Sequence, residues 1–349
     1  MKQRQTELDI LRFLALLCVV GLHLNSGVWN SLPIMSGKWL VVTLQRITWA
    51  VPVFVMISGR FFLDPKKKIT TKDIFGKYVF RIAVAFLFWG VIYQIHYLCV
   101  SLEQGETIAT QWKNFVVGIF TGAYHMWYLW MLIGLYAITP ILRKIAEDEK
   151  LTVYFLAIFF VVQTLNYFVR ELPKVGTMTG EIMDDLQLHF VLGYTGYYLL
   201  GYQVHRWKPS KKQEMALYIL GLLIAVFAPA ANILYTSNTG NITEYFTQYL
   251  SPTMILESVA VYTFFVKRVA KINWKERTRK FFAAATKYGF GAYLSHAIVL
   301  SRGMPEGSME WIMDVPLVMM PVFTLYATAI SYILAALLHN IPKVGKYIA

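Results

Sequence analysis

Apolar residues gather into ten stretches, roughly 8–25, 39–62, 79–100, 124–142, 152–169, 186–204, 215–235, 247–266, 283–301 and 311–338. A bilayer core takes about 20 apolar helical residues to cross. The pattern therefore predicts an all-α, polytopic membrane bundle of about ten transmembrane helices. Their backbone hydrogen bonds close within each helix because lipid offers no partners. One stretch, 112–122 (QWKNFVVGIFT), is too short to cross and reads as an interfacial or re-entrant piece. No internal repeat or low-complexity segment divides the chain, so 1–349 is expected to be a single membrane domain.

The polar connections alternate in charge. The N-terminus, 63–78, 143–151, 205–214, 267–282 and the tail together carry 23 basic residues, and the intervening connections carry five. The positive-inside rule then places both termini and the basic loops in the cytoplasm. The formal net charge of +13 is thus a topological signal, and no nucleic-acid partner is expected. Composition agrees: 57% of residues are hydrophobic and 15% charged, against about 25% charged in an average soluble domain. The first apolar stretch lacks a small-residue cleavage site and is read as a retained helix, not a removable signal peptide. Cys18 and Cys99 both lie in apolar stretches, so neither a disulfide framework nor a CxxC metal pattern is expected.

Against this background the opening stretch, LDILRFLALLCVVGLHLN, carries unusual cargo: Asp9 and Arg12 near one end and His23 near the other. Arg12 and His23 are eleven positions apart, within about 20° of three full turns, so both lie on one helix face. They are separated by roughly 16 Å along the axis. Ionisable groups in a membrane helix are costly and face a wet or protein-lined cavity, so the pair implies a polar track at two depths. With the N-terminus inside, Arg12 lies in the inner half and His23 in the outer half.

His23 suits a general base acting on a sugar hydroxyl; it also suits a histidine that only hydrogen-bonds a neighbouring helix. Arg12 can bind phosphates through its planar fork, or pair internally with Asp9 three residues back. Arg60, Lys72 and Arg81 cluster at the expected cytoplasmic face, where an anionic ligand would arrive, although helix-end basic residues also snorkel to headgroups. His125, Trp127 and Tyr128 open the fourth stretch at the outer surface, as a wall for an acceptor or as an interfacial aromatic belt. Glu257 sits mid-stretch and needs a partner or a wet cavity. His296 is similarly embedded, beside Gly289 and Gly291, which allow close helix approach. No GxxxxGK[ST], HExxH or GxSxG motif is present, which argues against an ATP-driven pump, a metalloprotease and a serine hydrolase.

Four segments, in order, resemble acyltransferase family 3, a family of integral-membrane acyltransferases. They are Leu8-Asp9-Ile10-Leu11-Arg12 followed by His23; Phe54 to Gly59 (FVMISG); His125-Met126-Trp127-Tyr128-Leu129 with Thr139-Pro140-Ile141-Leu142-Arg143; and Tyr288-Gly289 to His296. The resemblance implies O-acylation of an acceptor at the outer face from cytosolic acyl-CoA, most often acetyl-CoA. It implies His23 as the catalytic histidine, Arg12 as its partner towards the donor, and no metal. The chain ends at IPKVGKYIA without the extracytoplasmic hydrolase-like domain of many members, so it looks like the stand-alone polysaccharide O-acetyltransferase branch. The expected partners are acyl-CoA, an envelope glycan or lipid-linked sugar and the lipid bilayer, in a bacterial cytoplasmic membrane. The competing class is a transporter of a small polar substrate, and some relatives are fused to an amino-acid racemase.

Overall fold

The computed structural model describes residues 5–170, 185 and 193–349. Among these residues it is helical without strands. The helices are α1 (Thr6–Trp29), α2 (Gly37–Leu44), α3 (Ala50–Phe62), α4 (Thr71–Glu103, π-helical over Ile74–Val79), α5 (Ile108–Thr121), α6 (Trp127–Glu147), α7 (Glu149–Arg170), α8 (Tyr194–Arg206), α9 (Lys211–Thr239), α10 (Pro252–Lys267), α11 (Glu276–Arg302), α12 (Ser308–Asp314), α13 (Pro316–His339) and α14 (Gly345–Ile348). The expected interfacial piece at 112–122 is part of α5, which packs along α4.

Among the described residues six helices are long and apolar enough to cross a membrane, and they match the expected stretches 79–100, 124–142, 152–169, 215–235, 247–266 and 311–338. The other four stretches behave differently. The stretch 186–204 begins outside the described residues and continues as α8. The stretches 8–25 and 283–301 are the long helices α1 and α11, which pack against each other and against α13 in the interior.

The stretch 39–62 is not one helix: it breaks between Leu44 and Ala50. Pro52 gives the reason. A helix running through it would lose a backbone hydrogen bond and press the ring on the carbonyl of residue 48, at about 3 kcal/mol. In the first turn of α3 the same proline is tolerated. The break lets Arg46 leave the helix axis and find its own partners.

The α3–α8 crossing sets the width of the bundle. A Cβ on Gly59 would lie 1.8 Å from the Tyr198 carbonyl oxygen, and one on Gly201 would lie 1.8 Å from that of Met56. The two backbones touch directly, the small-residue solution for membrane helices. Gly291 serves α11 similarly, with Ala335 and Ala349 against it. The crossing is tied to α6 by Tyr198, whose hydroxyl meets Thr139 Oγ1 at 3.0 Å.

Candidate active site

α1 presents Arg12, Leu16, Val19 and His23 to one cavity of about 330 Å³. Their spacing of four, three and four is the stripe of one helix face. The wall facing α1 comes from α3 (Val51, Phe54), α4 (Tyr78, Arg81), α6 (Trp127, Tyr128, Leu132, Tyr136) and α11 (Ala285, Thr286, Gly289, Phe290, Tyr293). The cavity is polar at its two ends and apolar between them.

At the Arg12 end, Asp9 Oδ1 accepts from Arg12 Nη1 at 3.1 Å and from Thr286 Oγ1 at 2.9 Å. The internal pair and the cavity-facing position therefore coexist: the carboxylate steers the guanidinium while the side chain remains about one-third exposed. Arg81 enters the same end from α4, donating to the Ala349 carbonyl at 3.2 Å with its guanidinium 5.0 Å from the Phe290 ring centre.

The His23 end is a cluster of three imidazoles. His296 stacks on His23 with ring centres 5.1 Å apart, and His125 lies 4.8 Å from His296 and 6.4 Å from His23. His125 and His296 are almost fully buried. His296 Nδ1 meets the Tyr293 carbonyl; among the described residues His296 Nε2 and both ring nitrogens of His125 have no hydrogen-bond partner. Tyr293 donates to the His125 carbonyl at 2.5 Å, which ties α11 to the segment carrying His125, and Tyr93 donates to the Leu294 carbonyl at 2.7 Å, which ties α4 to α11. Among the described residues no carboxylate is hydrogen-bonded or ion-paired to any of the three. With no acid to hold it charged, an imidazole here can take up a proton from a hydroxyl at one ring nitrogen.

The acyltransferase domain model of family 3 matches residues 5–339. The chain belongs to acyltransferase family 3. It is therefore an acyltransferase, and its apolar helices make it a multi-pass membrane protein. It is also 30% identical over 170 residues to an amino-acid racemase of Enterococcus faecalis, across 46% of this chain and 23% of that protein. The match thus spans less than a quarter of the racemase. No solved structure matches the chain.

Several motif residues of this acyltransferase prove to be architectural. Arg143 donates to the carbonyls of Phe62 at 2.6 Å and Lys67 at 2.8 Å, closing the end of α3. Gly59 serves the α3–α8 crossing. Of the residues singled out from the sequence, Arg12, Arg81, His23, His125, Trp127 and Tyr128 line the one cavity, and His296 stands directly behind His23. Arg60, Lys72 and Glu257 do not line it. Arg60 is buried against Asp64 at 3.5 Å, and Lys72 is exposed in the first turn of α4. Glu257 is half-buried on α10, with no hydrogen bond or ion pair among the described residues.

Sequence reasoning passed over a second cavity of about 390 Å³, which shares His23 and Tyr249 with the first. Beside Leu22 and Leu250, its lining carries the polar side chains of Ser26, Arg46, Thr48, Tyr194, Glu244, Thr247 and Gln248. Arg46 pairs with Glu244, donates to Asn25 Oδ1 at 3.0 Å and Ser26 Oγ at 3.3 Å, and lies 4.2 Å from the Trp29 ring centre. An arginine embedded in an apolar stretch was the available signal. Its acid lies 198 positions away, beyond any local pattern.

Proposed function

We propose that this chain is a membrane O-acyltransferase that moves an acyl group, by expectation acetyl, from cytosolic acyl-CoA to a hydroxyl of an envelope sugar or polysaccharide at the outer face of a bacterial cytoplasmic membrane. The observation that carries the reading is the shared cavity of Arg12 and His23. Arg12 and Arg81 receive the phosphate-bearing end of the donor, and the thioester arm runs along the apolar wall of Leu16, Val19, Val51 and Phe54. His23 takes the proton of the acceptor hydroxyl as its oxygen attacks the thioester carbonyl. The new C–O bond forms, the C–S bond breaks, and the proton leaves with the CoA thiol. An acyl group carried transiently on His23 is the mechanistic rival and would give ping-pong kinetics.

The test is label transfer from [¹⁴C]acetyl-CoA into a membrane or envelope fraction. Wild type should transfer label, and His23→Ala should lose about 10²- to 10⁴-fold of it, the range of a general base, while still inserting and binding CoA. Undiminished transfer in His23→Ala defeats the assignment. The similarity to part of an amino-acid racemase favours a second reading, in which the helices handle an amino acid. Movement of a labelled amino acid across the membrane without covalent acetylation would support that alternative.

A further inference from the structure

We infer that the second cavity is the acceptor subsite of the reaction proposed above, and that it takes an uncharged, polyhydroxylated ring. The inference rests on that reaction, since the cavity earns its role by sharing His23 with the Arg12 cavity.

The chemistry of its walls selects the ligand. Its cation and its acid, Arg46 and Glu244, are already paired with each other, and the Arg46 side chain is only 6% exposed. The Glu244 side chain is 38% exposed; a charged acceptor would compete with one member of the pair for the other, whereas a neutral one leaves the buried Arg46 with its partner. The remaining polar groups are hydroxyls and an amide, which both donate and accept and so match sugar hydroxyls. Ser26 and Thr247 are engaged within the protein, Ser26 with the Leu22 carbonyl and Thr247 with Asn232. The side chains of Gln248, Tyr194 and Tyr249 have no hydrogen bond among the described residues and are available to a ligand.

Aromatic faces complete the bracket. Trp127 lies 5.6 Å from Tyr194 and 5.9 Å from Tyr249, ring centre to ring centre, a platform for the C–H face of a pyranose. Tyr249 and His23 stand where the two cavities meet, so a ring held here directs a hydroxyl at the imidazole. Trp127, which lines the first cavity and packs on Tyr194 and Tyr249 of the second, then lies at the boundary between chambers, whereas Tyr128 lines the first alone. The acceptor wall expected of them extends to Arg46, Thr48 and Gln248.

The test uses the full chain in lipid nanodiscs with [¹⁴C]acetyl-CoA and three probe acceptors: methyl glucopyranoside, glucuronate and serine. Label should enter the glucoside in preference to the other two. Gln248→Trp fills the chamber from an exposed turn position and should lower glucoside kcat/KM at least tenfold, leaving the KM for acetyl-CoA within about twofold. Gln248→Ala, which cannot obstruct folding, should raise the glucoside KM about two- to tenfold, the loss of one hydrogen bond. Preference for glucuronate or serine overturns the class of ligand, as does an unlabelled glucoside while His23-dependent acetyl-CoA turnover persists. Unchanged acceptor kinetics in both Gln248 variants overturn the site. Transfer that survives His23→Ala would instead overturn the underlying reaction, so the two failures are told apart.

Discussion

The two cavities that meet at His23 solve different problems with similar means. Each holds an arginine paired with an acid, yet the two pairs are set differently. Asp9 is buried beside Arg12 and shared with Thr286, and the Arg12 side chain lines the first cavity. Glu244 sits beside Arg46 at the chamber wall, and Arg46 is further claimed by Asn25, Ser26 and the Trp29 face. Both arginines are ion-paired; the first keeps its side chain about one-third exposed, and the second is enclosed to 6%. An arginine that faces its cavity suits a phosphate-bearing donor, whereas one enclosed by its partners suits a neutral acceptor. The apolar stripe of Leu16 and Val19 keeps the two ends apart.

This contrast can be broken in several ways. The largest effect expected, after loss of His23 itself, comes from the frame that holds both cavities open. Gly59→Val would drive a side chain into the Tyr198 carbonyl, an overpacking of about 3 kcal/mol. It should lower the thermal midpoint in detergent and reduce transfer by both donor and acceptor criteria. Next, Arg12→Lys keeps the charge but loses the planar fork, and should raise the KM for acyl-CoA about 10- to 100-fold, the value of a charge-assisted hydrogen bond. Acceptor KM should not move, and a rise in acceptor KM alone would erase the distinction between the chambers. Smallest is Lys72→Ala: Lys72 is exposed and lines neither cavity, so acyl-CoA KM should change less than twofold in steady-state assays.

What could be read from the sequence follows from the range of each interaction. The Arg12–His23 track obeys a single helix period, so counting residues was enough to place both in one cavity. Stretches facing lipid were equally legible, because apolarity alone defines them. The interior helices were harder. The 39–62 stretch looks continuous by hydropathy, and its break depends on Pro52 and on partners for Arg46 that lie elsewhere in the chain. The imidazole cluster joins residues from α1, α11 and the segment before α6, and its assembly depends on helix packing that no local spacing encodes. Arg143 and Gly59 stood out as motif residues, but only the crossing of α3, α6 and α8 reveals that they hold the frame.

The central claim is that a donor held at Arg12 reaches His23 through one cavity. Bromoacetyl-CoA tests it most directly, because a nucleophilic nitrogen at the thioester end displaces bromide and keeps the label. Peptide mass spectrometry of the treated full chain should locate the adduct on His23, with protection by unlabelled CoA and loss of that adduct in His23→Ala. An adduct confined to surface lysines, equally abundant with and without CoA, would contradict the account.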